Sequence, residues 1–338
     1  MIKLNKRKKI LVTGAEGFIG SHLVERLLQL NYEVNALVLY NSFSDEGWLS
    51  DVSNDYREKL SIFFGDIRDV NTVDAAIEGC DTVIHLASLI TIPYSYKAPA
   101  SYFETNVIGT VNVLSSAKKH GVSRIVHTST SEVYGSAQRI PICESHPIVG
   151  QSPYSASKIG ADQAAYSFFT SFELPIVIAR PFNTFGPRQS GRAIIPTIIS
   201  QILAGRTSLK LGDVTTTRDF NYVSDTINGL IMLAETDVGG GEVYNIGSGL
   251  EITIADLCGI IAEISDREII IETDDARRRP PKSEVTRLCA DNNKIAKDIG
   301  WKPVYSGREG LIKGLRITFK WLAEREDLAA KYSEQYRF

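Results

Sequence analysis

Three glycines near the amino end, Gly14, Gly17 and Gly20, constrain this chain more than any other feature. They follow a short apolar run, Lys9-Ile10-Leu11-Val12-Thr13, and precede a segment whose Leu23, Leu27 and Leu28 recur at helical spacing. The run reads as a buried parallel strand. Strand, G-x-x-G-x-x-G and helix in succession open a doubly wound α/β (Rossmann) sheet. Gly14 would permit the tight turn, Gly17 would admit a pyrophosphate to the backbone, and Gly20 would let helix and strand pack closely. The helix N-terminus, with Phe18 and Ile19 beside the glycines, offers free N–H groups and a positive dipole end to phosphates. A glycine triplet alone is a weak signal; between a strand and a helix it is a strong one.

Further apolar runs extend the pattern. Tyr32–Leu39, Leu60–Phe64, Thr82–Ala87, Ser123–His127 and Leu174–Arg180 read as strands. An acid closing the second strand would hold the adenosine ribose, but Val38 and Leu39 occupy that place and no arginine replaces it. The residues therefore leave NAD and NADP both open. Asn41, Ser42 and Ser44 are the candidate ribose or phosphate partners, against an ordinary polar loop. Asp66, followed by Ile67, is placed to accept the adenine amino group or to cap the next helix. Leu86, Ala87 and Ser88 leave room for a dinucleotide. His85, in an apolar run, reads as a satisfied core histidine. Asn106 is polar where a helix should face the sheet, so it either braces the site backbone or packs as an ordinary buried amide.

The chemistry is concentrated between Thr128 and Lys158. Thr130, Ser131 and Glu132 fall just past the carboxyl end of the strand at Ser123–His127, where open parallel sheets bind ligands. Tyr154 and Lys158 are four apart and share a helical face. An ammonium beside a phenol favours phenolate, and a phenolate can take a proton from a sugar hydroxyl. A Tyr-x-x-x-Lys pair also arises by chance; the case rests on its position behind a nucleotide-binding start.

Gly and Pro mark Pro181–Arg188 as a loop changing region. Beyond it we expect a helix at Ile194–Ala204 and strands at Phe220–Asp225 and Glu242–Ile246, the latter returning to the first domain. Helices are expected at Ile254–Ile264, capped by Thr253, at Asn292–Ile299 and at Leu315–Leu322. A polar exposed tail would run from Glu324 to Phe338. Arg277-Arg278-Arg279-Pro280-Pro281-Lys282 reads as a solvated face or as a diphosphate clamp. The expected domains are 1–182 with about 219–247, and 183–218 with 248–338. Net charge is −3, so no basic field calls for nucleic acid. Four cysteines lack metal-ligand or paired spacing, no apolar run reaches the ~18 residues of a membrane span, and no leader pattern is present. The reading is of a cytoplasmic protein without a metal.

These motifs together resemble the extended short-chain dehydrogenase/reductase family of nucleotide-sugar epimerases, dehydratases and decarboxylases. They are the glycine turn, Asp66-Ile67, His85-Leu86-Ala87, Asn106, Ser129-Thr130-Ser131-Glu132-Val133-Tyr134-Gly135, Tyr154 with Lys158, and Arg180-Pro181-Phe182-Asn183. The resemblance spans roughly Lys9 to Leu322. It implies NAD(P) as hydride acceptor, with Thr128 and Arg180 also in its site. Tyr154 would be the base, Lys158 would hold the nicotinamide ribose and lower the tyrosine pKa, and Thr130 would bond the sugar C4 oxygen. Glu132 is placed to remove a C5 proton and help water leave C6, as in a 4,6-dehydratase. dTDP-glucose 4,6-dehydratases carry Asp-Glu where this chain has Ser131-Glu132, and Ser-Glu also resembles UDP-glucuronate decarboxylases. The stretches at 39–49 and 279–285 look most like dehydratases acting on NDP-N-acetylglucosamine. That implies a nucleotide-sugar substrate held by Arg188 or Arg218 with Arg279 and Asn183, flanked by Thr91 and Arg192. It also implies a homodimer through one helix within 101–119 and another starting at Tyr154.

Overall fold

Residues 9–334 are described by the computed structural model. The basic run's Lys6, Arg7 and Lys8 and the last four residues lie outside them. The amino-terminal half alternates strands and helices: β1 (Lys9–Thr13), α1 (Phe18–Gln29), β2 (Glu33–Leu39), β3 (Leu60–Gly65), α2 (Val70–Ile77) and β4 (Thr82–His85). Next come the short helices α3 (Ile92–Ser95) and α4 (Pro99–Phe103), then α5 (Gly109–Lys119), β5 (Arg124–Thr128), α6 (Pro153–Phe172) and β6 (Ile176–Pro181). The remainder is β7 (Asn183–Phe185), α7 (Ile194–Leu203), β8 (Ser208–Leu211), β9 (Thr217–Tyr222), α8 (Val223–Glu235), β10 (Val243–Ile246), β11 (Glu251–Thr253), α9 (Ile254–Ser265), β12 (Ile270–Thr273), α10 (Asn293–Ile299), α11 (Gly307–Ala323) and α12 (Glu326–Glu334).

Seven of these strands form one sheet in the order β10-β6-β5-β4-β1-β2-β3, and every pairing is parallel. Helices cover both faces, so the strands are apolar without alternation. Leu11, Val12, Val83, Ile84, Ile125, Val126 and Val177 are all fully buried. The helices α2, α5 and α6 pack together on one face and α1 with α8 on the other. Strand order reverses between β1 and β4, whose ends meet at Thr13 and His85. That reversal opens a crevice at the carboxyl ends of the strands. Above it sit a three-stranded sheet, β11-β9-β7, and the parallel pair β12-β8.

β10 does return to the large sheet, pairing with β6. Two expectations need correction. The strand expected at Phe220–Asp225 ends at Tyr222, and Val223 begins α8. The tail is not a loose polar segment. Residues 326–334 form α12, which docks on α7, buries Ala329 and lays Tyr332 against Gly191.

Candidate active site

A cleft of about 1090 Å³ runs along the carboxyl ends of the strands. At one end lies the glycine turn. Gly14 has φ of +66°, and a Cβ there would come within 2.8 Å of the Ala87 backbone. A Cβ on Gly20 would sit 2.1 Å from the Gly14 carbonyl. Only glycine fits both places. Gly17 is the N-cap of α1 and no side chain caps the helix, so its first N–H groups stay open toward the cleft. This cradle fits the pyrophosphate of a dinucleotide. Phe18, Ile19, Ile67, Leu86, Ala87 and Ser88 line the same cleft.

The segment from Thr128 to Lys158 is positioned by two local devices. β5 ends at Thr128, and Thr130 then caps a short turn, its Oγ1 accepting the Glu132 N–H at 3.2 Å. This swings Ser131 and Glu132 over the strand end. On the other side, α6 starts with a reciprocal cap. Ser152 Oγ accepts from Ser155 N at 3.1 Å, and Ser155 Oγ accepts from Ser152 N at 3.0 Å, with Pro153 in the first turn. That cap fixes where Tyr154 enters. Thr128, Thr130, Ser131, Glu132 and Tyr154 converge on the cleft. The Tyr154 ring packs edge-on against Tyr102, and Tyr102 donates to the Thr91 carbonyl at 2.5 Å, which ties Thr91 to the same wall.

Lys158 lies one turn behind, wholly buried, with Nζ donating to the Thr128 carbonyl at 2.7 Å. Burial pulls its ammonium down to about 8. The expected acidification of Tyr154 is not found in this state. Burial and the Glu132 carboxylate hold its phenol above the ordinary value, and the Thr130 hydrogen bond pulls against them. The Lys158 ammonium is turned to the Thr128 carbonyl, and burial of the phenol is the largest influence on it.

Asn106 braces the site. Its Oδ1 accepts from Leu89 N at 2.8 Å, and its Nδ2 donates to Leu89 O and to Ser157 Oγ, each at 2.9 Å. It sits in a π-turn, Glu104–Ile108, between α4 and α5, a distortion that often marks functional places. His85 is satisfied by Thr13 Oγ1 at 2.7 Å and Thr110 Oγ1 at 3.0 Å. Asp66 lines the cleft but is held by Arg68, whose Nη2 is 2.6 Å away; that pair keeps its carboxyl below the usual range. The cap of α2 is Asp69 instead.

Three sequence-predicted cofactor residues lie elsewhere. Asn41 folds back on its own loop, accepting from Phe43 N and Asp45 N at 3.1 and 3.0 Å. Exposed Ser42 follows it away from the cleft. Arg180 is buried behind the sheet, its Nε and Nη2 donating to Asp162 Oδ2 at 3.2 and 2.9 Å. It meets Asp162 because β6 is covered on both faces, and a buried carboxylate needs a cation.

On the substrate side, Arg218 and Arg279 both reach the Glu284 Oε1 atom, at 3.2 and 3.5 Å. Arg188, in the left-handed region with φ of +68°, turns back to α1, donating to Glu25 at 2.7 Å and Ser21 Oγ at 3.3 Å. Arg192 and Asn183 line the cleft, and the Asn183 Oδ1 is buried without a partner. Sequence reasoning missed Glu16, Trp48, Tyr94, Glu284 and Tyr332, which line the cleft too. Glu16 lies inside the glycine turn, and Trp48 and Glu284 lie in the stretches at 39–49 and 279–285, whereas Tyr94 and Tyr332 carried no sequence signal.

Fold and site together define a dinucleotide-binding enzyme class with a Tyr-Lys pair. Residues 11–313 match the model of the GDP-mannose 4,6 dehydratase family. The chain belongs to that family, within the extended short-chain dehydrogenase/reductases. A dTDP-glucose 4,6-dehydratase of Streptomyces antibioticus is 33% identical over 92% of this chain and 91% of its own length. A crystal structure of a dTDP-glucose 4,6-dehydratase from Streptomyces venezuelae with NAD bound superposes with a TM-score of 0.84 at 32% identity, covering 94% of this chain and 98% of that one. A UDP-N-acetylglucosamine 4-epimerase from Methanobrevibacter ruminantium, in complex with UDP-N-acetylmuramic acid, gives 0.83 at 31%, covering 95% and 100%.

Proposed function

We propose that the protein is an NAD-dependent nucleotide-sugar 4,6-dehydratase acting on UDP- or GDP-N-acetylglucosamine to give the 4-keto-6-deoxy sugar. One observation carries this reading: a buried carboxylate, Glu132, shares the end of β5 with Thr130 and faces Tyr154. A 4-epimerase needs only the base.

The glycine turn, Asp66, Ile67, Leu86 to Ser88, Thr128 and Lys158 would hold the dinucleotide. The chemistry a bound nicotinamide supplies there is storage of the C4 hydride and its return at C6. A positive charge held there would also favour the Tyr154 phenolate, which the protein's own groups disfavour. Tyr154 takes the C4 hydroxyl proton, steadied by Thr130. The C4 ketone acidifies the C5 proton, which Glu132 accepts. Glu132 then gives a proton to the departing C6 hydroxyl, so water leaves and a C5–C6 double bond forms; with hydride returned at C6, a proton returned to C5 would complete the 4-keto-6-deoxy product, balancing the one Tyr154 took from the C4 hydroxyl. Ser131 offers no carboxyl, so both transfers fall to Glu132. Arg218 and Arg279 would exchange Glu284 for the substrate diphosphate. Exposed Phe103 and Ile108 on the α4–α5 segment and Tyr166 on α6 support a homodimer through those helices. A cytoplasmic location suits four free cysteines.

The epimerase-like relative supports a second reading, 4-epimerisation. The test is Glu132→Gln. The variant should still exchange hydride at C4 yet release no water, whereas Tyr154→Phe should lose both and keep NAD bound. Full dehydration by Glu132→Gln would sink the dehydratase mechanism.

A further inference from the structure

The adenosine end of the cleft lacks an acid on β2, which ends Val38-Leu39. A carboxylate reaches that spot from another segment. Glu16, within the glycine turn, extends to the end of β2, and its Oε1 accepts the Leu39 N–H at 3.0 Å. Its own carbonyl accepts the Trp48 N–H at 3.1 Å. Gly47, with φ of +56°, packs so tightly there that a Cβ would come within 2.8 Å of the Glu16 carbonyl. The turn at Gly47–Asp51 thus pins Glu16 in place. The second carboxylate oxygen, Oε2, is buried and has no hydrogen-bond partner. Glu16, Leu39 and Trp48 line the cleft beside the glycine turn. A shielded carboxylate oxygen without a donor is unfavourable until one arrives.

We propose that Glu16 recognises the adenosine ribose and selects NAD over NADP, its free oxygen accepting a ribose hydroxyl and its charge repelling a 2′-phosphate. The proposal rests on the dinucleotide reading given above. Two further observations favour it. Arg68, which lines this end, is already held by Asp66 through Nε and Nη2, so its guanidinium is not offered unpaired to a 2′-phosphate. Burial also pushes the Glu16 carboxyl up, with the backbone N–H groups of Leu39 and of Glu16 itself only partly opposing it. A role confined to pinning the end of β2 would need only Oε1.

The test is direct binding of NAD and NADP to the cofactor-free protein by calorimetry. Wild type should prefer NAD. Glu16→Gln should weaken NAD about tenfold, the range of a charge-assisted hydrogen bond, and shrink the NAD-to-NADP ratio by at least as much. A second arm uses wild-type protein with the 2′-deoxy and 3′-deoxy adenosine analogues of NAD, so it does not depend on the variant folding. At least one should bind about tenfold more weakly. An unchanged NAD-to-NADP ratio in Glu16→Gln, or full affinity for both analogues, overturns the proposal. Wild type that binds neither dinucleotide overturns the underlying reading instead, and is recognisable because both arms then lack any signal.

Discussion

Lys158 gives a prediction in which function and stability oppose each other. The ammonium is buried and its pKa falls from 10.5 to about 8, which corresponds to roughly 3 kcal/mol against the charged form. Lys158→Met removes that penalty. It also removes the hydrogen bond to the Thr128 carbonyl, and a buried acceptor left unpaired costs about 1–3 kcal/mol. The two effects nearly cancel at neutral pH, so a single stability value there decides little. The pH dependence separates them. The folded pKa lies below the unfolded one, so between about pH 8 and 10.5 the unfolded chain holds more protons. Wild-type stability therefore gains on the variant as pH rises through that window, by roughly 3 kcal/mol in all. Urea unfolding of both cofactor-free proteins across pH 7 to 10.5 measures the difference curve, in which other titrating groups cancel. Parallel curves would refute the account of a charged, desolvated Lys158.

Two other perturbations test the surroundings. Asp162→Asn strands Arg180, which lies beside it with both side chains almost wholly buried; breaking such a pair should cost about 3–5 kcal/mol in denaturant unfolding. Tyr332→Ala opens the wall where α12 meets Gly191, and steady-state kinetics should show KM for the nucleotide sugar raised several-fold with kcat nearly unchanged.

The large sheet was legible because its strands are buried on both faces and read as unbroken apolar runs, and because the glycine turn admits few alternatives. The same double burial hid the fate of Arg180. Without alternation, nothing in Ile176–Arg180 says which face its guanidinium takes. Phe220-Asn221-Tyr222-Val223-Ser224-Asp225 mixes apolar and polar residues over too few positions to separate strand from helix, until α8 declared itself by length. α12 escaped notice because Leu328, Ala329 and Tyr332 are few among charged neighbours. Order and spacing pointed to Thr130, Glu132 and Tyr154, which the fold gathers on the cleft, and to Lys158, which it places one turn behind. The ionisation of Tyr154 was not legible, since it depends on how deeply the phenol is buried and on the carboxylates around it. Asn41 and Ser42 were chosen by position after β2; the carboxylate at the end of that strand came from Glu16, a contact between segments that no local pattern records.

The central claim is that Glu132 turns C4 oxidation into loss of water from C6. Incubation of the NAD-loaded protein with UDP- and GDP-N-acetylglucosamine, followed by mass spectrometry of the nucleotide sugar, tests it most directly. The account predicts a product lighter by one water molecule. A product of unchanged mass with an altered sugar would contradict it and point to epimerisation.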